Sequence, residues 1–142
     1  MKLNESSIFL LRLTISYIWL KAGISKLLDP NFINNFPKTL TSFAQGSPFD
    51  FYSSIITTNF LPNSSIFAQF TIWGEILTGI AFLIGFPMLF SVLTGIFMNI
   101  NYFFVATSCP SQFLSILMVV AQFVAYTHNA GNFWGLEKRL RK

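Results

Sequence analysis

The sequence predicts an all-α integral membrane protein: a four-helix bundle with a long extracytoplasmic loop that carries short amphipathic helices. Three observations predict it. Of 142 residues, 53% are apolar, only 10% are charged, and 18 are phenylalanine, whereas roughly a quarter of an ordinary soluble chain is charged. Four apolar stretches each come close to the roughly 20 residues that cross a hydrocarbon core. They are too long and alternate too poorly to be barrel strands, so the backbone must satisfy itself as helix.

The whole chain reads as a single membrane domain. Its spans cover about residues 7–28, 66–86, 87–107 and 110–129, with an outer loop at 29–65 and a basic tail at 131–142. The first span resembles a signal peptide only superficially. Arg12, Lys21 and Lys26 interrupt its apolar run and no small-residue cleavage site follows, so it reads as retained. Pro87 and Pro110 suit first-turn positions, where a missing N–H costs nothing. The connection at Gly85-Phe86-Pro87 is short enough to make a tight antiparallel hairpin. Gly131 is expected to supply a left-handed cap after the fourth span.

Residues 29–65 are too many for a bare connection. Phe32, Phe36, Leu40 and Phe43 recur at helical spacing, as do Tyr52, Ile56 and Phe60. Ser47-Pro48-Phe49-Asp50 has the form of a capping box with proline at the first helical position. Two amphipathic helices over the outer end of the bundle are expected, either as a lid or merely resting at the membrane surface.

Orientation follows from basic residues. The net charge of +4 is concentrated in Lys138, Arg139, Arg141 and Lys142, while the outer loop carries only Lys38. The positive-inside rule then places both termini in the cytoplasm and the protein in the plasma membrane. Asn63-Ser64-Ser65 is a glycosylation sequon on the outer side, of a kind common by chance. No basic stripe with interleaved aromatics exists, which excludes nucleic acid as a partner and leaves the lipid bilayer. One cysteine and one histidine are too few for bis-histidine haem, an iron–sulfur cluster or a closed zinc site. No metal or haem ligated by this chain is expected.

Ionisable groups inside a bilayer cost roughly 2.5–3.5 kcal/mol on insertion scales, so each needs a reason. Glu75 lies roughly 13 Å below the outer edge of the second span, at 1.5 Å per residue, and cannot snorkel. It must be protonated, paired or facing a polar cavity. Thr71, Thr78 and Gly79 share its face. Arg12, Trp19 and Lys26 share a face of the first span, which points Lys26 at the bundle. Lys21 points nearly opposite, to snorkel outward or to meet Glu75 from another side. Ser91, Gly95 and Asn99 form a row on the third span, and Ser115, Gln122 and Asn129 a line on the fourth. These groups form either a functional polar seam or simple interhelical glue. His128 reads as a solvated end residue and Cys109 as non-catalytic. Trp73 and Trp134 read as interface anchors.

Together the motifs resemble the DoxX/DoxD family. Arg12 with Gly23-Ile24-Ser25-Lys26-Leu27 and Asp29-Pro30 is similar to its first-helix signature, and Trp73-Gly74-Glu75-Ile76-Leu77-Thr78-Gly79 with Gly85 to its second. Asn99-Ile100-Asn101-Tyr102 resembles its third-helix segment. The stretch from Ala130 to Glu137 resembles its closing stretch, where aspartate usually stands at the last position. The resemblance implies a membrane subunit of a respiratory-type oxidoreductase, passing electrons from thiosulfate to quinone beside a DoxA-like second subunit. The alternative is a non-catalytic accessory subunit of a larger quinol-oxidase-type complex. A transporter is disfavoured, since no inverted repeat or broken helix is evident. On the first reading Glu75 and Lys26 are catalytic, while Lys21, Asn99 and Arg12 bind substrate. Lys26, or alternatively Lys21, would attract the anion, and Glu75 would exchange the protons of quinone reduction with Asn99 supplying a hydrogen bond.

Overall fold

Hydrocarbon offers a crossing backbone no partner but itself, and four long helices meet that demand. The computed structural model describes residues 4–132 and 134–137; the basic side chains at 138, 139, 141 and 142 lie outside them. Helix α1 is Glu5–Leu28, α2 Phe32–Gly46 and α3 Asp50–Ile55, which runs into a π-helical turn at Ile56–Phe60. Then come α4 Ser64–Ile84, α5 Met88–Val105 and α6 Cys109–Thr127, followed by a 3-10 turn at Ala130–Asn132. Helices α1, α4, α5 and α6 are each long and apolar enough to cross a membrane. The protein is thus multi-pass, and the large exposed side chains on these helices, such as Phe70, Phe90, Phe97 and Phe113, suit lipid.

Helix α1 packs along α4 and α5 along α6, and the α4–α5 hairpin joins the two pairs. The α1–α4 crossing is close because glycine stands on both sides. A Cβ on Gly23 would come within 2.7 Å of the Ile76 side chain, and one on Gly79 within 2.8 Å of the Leu20 backbone. The Ser16 hydroxyl donates to Gly79 O across this contact at 2.8 Å.

The segment between α1 and α4 folds over the end of the bundle where α1 finishes and α4 begins, here called the loop end. Its apolar faces meet: Phe36, Leu40, Tyr52 and Ile56 are buried in one cluster with Ala68 of α4. Fully burying side chains such as Phe, Leu and Ile is worth about 1.5–3 kcal/mol each relative to water. Helix α3 begins at Asp50, later than the expected capping box. Ser47 instead accepts from Phe49 N and donates to Phe104 O at 2.8 Å, tying the loop to α5. The Tyr52 hydroxyl donates to Asn101 Oδ1. Burial pushes the Tyr52 phenol up to about 12, so this tie stays protonated at ordinary pH.

The opposite, far end differs from expectation at its glycines. The left-handed residue after α6 is Asn129, φ 54°, not Gly131. Gly131 is instead required by close approach, since its Cβ would sit 2.9 Å from Gly85 O. The left-handed cap of α4 is Gly85, φ 70°. Asn129 lies beyond α6 and is exposed, so the polar line on that helix ends at the buried Gln122.

Candidate functional site

Glu75 stands about three turns into α4, at 3.6 residues per turn, and its side chain is 1% exposed. Lys26, in the last turn of α1, reaches both carboxylate oxygens at 2.8 and 2.7 Å. Helix α4 therefore rises well above the end of α1, and the pair lies nearer the loop end than a common membrane edge for all helices suggests. The Tyr102 hydroxyl of α5 donates to Glu75 Oε1. The carboxylate is held from two helices by an ammonium and a phenol, which replace the water it lost. A buried charge is tolerated only when paired and hydrogen-bonded in this way.

Two cavities meet at this network. One, of about 600 Å³, lies among α1, α2, α5 and α6; Glu75, Asn99, Tyr102, Trp19 and Ser115 are among its walls. The other, of about 470 Å³, is a groove under α2 and α3, walled by phenylalanines such as Phe36, Phe43, Phe67 and Phe97. Lys26, Asn101 and Tyr102 supply polar groups along that groove. Tyr102 lines both cavities, so the Lys26–Glu75–Tyr102 network stands between an aromatic groove and a chamber whose walls are mostly apolar but whose mouth and floor carry polar side chains, here called the polar cavity.

The structure brings Lys26, Glu75 and Asn99 to these cavities and separates the other two expected residues from them. Lys21 is exposed on the outer face of α1, with Nζ 5.9 Å from the Tyr17 ring centroid; of the two directions open to it, the outward one holds. Arg12 lies 14 residues before Lys26 on the same helix, about 21 Å away at 1.5 Å per residue. It is buried at the far end, where its guanidinium donates to Ala130 O at 2.8 Å and Trp134 O at 3.4 Å. Sharing a face of α1 with Lys26 does not put Arg12 at the same depth, and the closing stretch accepts from both of its terminal nitrogens. Asn99 donates to Gly95 O at 2.9 Å while facing the polar cavity.

Sequence reasoning missed Tyr102 as a site residue. A tyrosine near the end of a span reads as an interface anchor. The signal that could have found it is its position three residues after Asn99, one turn along the same helix. In the sequence Trp19 stands out only as part of a helix face, yet it is 3% exposed and its ring lies 6.5 Å from that of Tyr102. Among the described residues, no group of three His, Cys, Asp or Glu side chains gathers as a metal site.

A protein-family model described as TQO small subunit DoxD matches residues 8–142, nearly the whole chain. The chain belongs to the DoxD family. Membership makes it, at that coarse level, a membrane subunit of a quinone oxidoreductase. The match spans every element that builds the two cavities, including α2 and α3. No curated protein and no solved structure matches the chain.

Proposed function

We propose that this chain is the quinone-side subunit of a thiosulfate-oxidising complex, with the quinone ring in the aromatic groove and Glu75 as its proton-exchanging group. The observation that carries the reading is the position of Glu75: buried, bonded to Lys26 and Tyr102, and set between a polar cavity and an aromatic one. The groove fits such a group in chemistry. Its walls are mostly apolar rings, and hydrogen-bond donors for a carbonyl oxygen remain on Lys26, which gives two of its three hydrogens to Glu75, and on Asn101, which gives one of two to Phe97 O. Phe70 and Phe97, exposed on lipid-facing sides of α4 and α5, give the groove an edge toward the bilayer.

A quinone supplies, when bound, an acceptor for two electrons and two protons. This chain's residues do the rest. The phenylalanines orient the ring and exclude water. Lys26 holds the carboxylate in place through both of its oxygens. Glu75 takes up a proton from the polar cavity and passes it toward the groove by way of the Tyr102 hydroxyl.

Lys26 does not serve thiosulfate on this reading. Among the described residues it is the one cation lining either cavity, and Glu75 engages it through both oxygens. An added dianion would meet no uncompensated positive charge there. We therefore assign oxidation of the sulfur anion to the second, DoxA-like subunit. We also place both termini in the cytoplasm and the loop end outside, on the basic residues of the tail.

The test is quinone-analogue reduction by the purified two-subunit complex. Glu75→Gln keeps the shape and removes the proton-carrying group, so kcat is expected to fall about 10²–10⁴-fold, the usual weight of general acid–base catalysis. Full turnover by this variant overturns the reading.

A further inference from the structure

We propose that Glu75 exchanges protons with the loop side of the membrane alone: the polar cavity is a water-filled inlet from that side, and an apolar plug closes the route to the other. The proton task of Glu75 rests on the function proposed above; the one-sided inlet rests on the geometry of the bundle.

The inlet has a polar mouth and a polar floor. Ser42, Thr107 and Ser111 are exposed at the loop end, and Glu75, Asn99 and Ser115 are buried below them. The charged or titratable groups that face Glu75 are Lys26 from α1 and Tyr102 from α5, while α6 and α2 offer the cavity only hydroxyls and apolar groups. Ile18 and Leu114, exposed toward lipid, form the apolar wall on the α1–α6 side.

Polarity continues below Asn99 and then stops. The Thr78 hydroxyl and the Gln122 side-chain carbonyl are both buried and have no hydrogen-bond partner among the described residues. Both flank Gly95, where a Cβ would come 1.8 Å from Gln122 Oε1 and 3.4 Å from Thr78 Cγ2. Buried polar atoms inside a lipid-facing bundle call for ordered water; the space directly over Gly95 is filled by the Gln122 amide itself. Beyond that level Ile15, Phe82, Met88, Val92 and Ala125 belong to one cluster, none more than 3% exposed. The hydroxyls beside it are engaged: Ser91 donates to Pro87 O at 2.6 Å and Ser16 to Gly79 O at 2.8 Å. No chain of donors and acceptors crosses the plug among the described residues, and Arg12 lies beyond it.

The test is cysteine accessibility in the full chain, in right-side-out and inside-out vesicles, with the membrane-impermeant cation MTSET. Labelling of the exposed native Cys109 marks the loop side. In a Cys109→Ser background, Ser111→Cys reports the mouth, Ser115→Cys the floor and Ser91→Cys the plug. Serine-to-cysteine exchange is nearly isosteric, and a monodisperse elution profile confirms that each variant folds. Expected is labelling of Ser111→Cys and Ser115→Cys from the loop side only, with Ser91→Cys at least tenfold slower from either side. Labelling of Ser91→Cys from the far side overturns the plug. Failure of Ser115→Cys to label while Ser111→Cys reacts overturns the inlet. The pattern needs no turnover, so it stands or falls separately from the Glu75→Gln assay.

Discussion

A carboxylate buried among lipid-facing helices keeps its charge only if its neighbours do the work of water. Lys26 meets Glu75 at both oxygens, and Tyr102 adds a third hydrogen bond. Such a pair contributes little net stability over a well-packed apolar substitute, yet removing one partner strands the other. Lys26→Met is therefore expected to lower stability by about 3–5 kcal/mol, and the double variant Lys26→Met with Glu75→Gln to recover most of that loss. Unfolding in detergent, followed by circular dichroism, measures both. Equal losses in the single and double variants would show that the ion pair is not what holds this contact. Tyr102→Phe keeps the ring against Trp19 and deletes only the hydroxyl. On the proposed role its kcat for quinone reduction falls about 10²-fold, the low end for a lost proton-transfer group, with KM little changed. A rise in KM at constant kcat would instead make Tyr102 a binding residue.

Two elements place that network. The α1–α4 crossing brings Lys26 to Glu75 because Gly23 lets α1 lie directly on Ile76. Gly23→Ala puts a methyl within 2.7 Å of the Ile76 side chain and 2.9 Å of its backbone nitrogen. The helices must separate, at a cost of about 1–3 kcal/mol. Reduced thermal stability together with weakened quinone turnover is the expected outcome, and an unchanged midpoint would mean the crossing gives easily. The second element is the α2–α3 segment, which roofs the aromatic groove and is tied to α5 through Ser47 and Tyr52. Its helical faces were legible as spacing in the sequence. The start of α3 was not, because Ser47 satisfies Phe104 of α5, a partner far along the chain, instead of opening a helix.

Across the whole molecule, the two ends of the bundle carry different duties. The loop end holds the ion pair and both cavities. The far end uses Arg12 to gather the closing stretch, with Leu136 N also donating to Ile84 O at 2.9 Å. Arg12→Gln is expected to leave quinone turnover within about twofold, since no transition-state contact is lost at the site, while lowering thermal stability. A large drop in kcat with unchanged stability would return Arg12 to the site. By itself the sequence determined the four-helix membrane fold, the amphipathic segments between the first two spans, and the demand that Glu75 find a partner. Those follow from composition, periodicity and the cost of a charge in hydrocarbon, all local properties of the chain. Only the tertiary structure decided that the partner is Lys26 and not Lys21, that Tyr102 completes the network, and that Arg12 belongs to the other end. These depend on how high each helix stands against its neighbours. That offset is set by glycine contacts and by a loop folded back over the bundle, neither of which helical periodicity encodes.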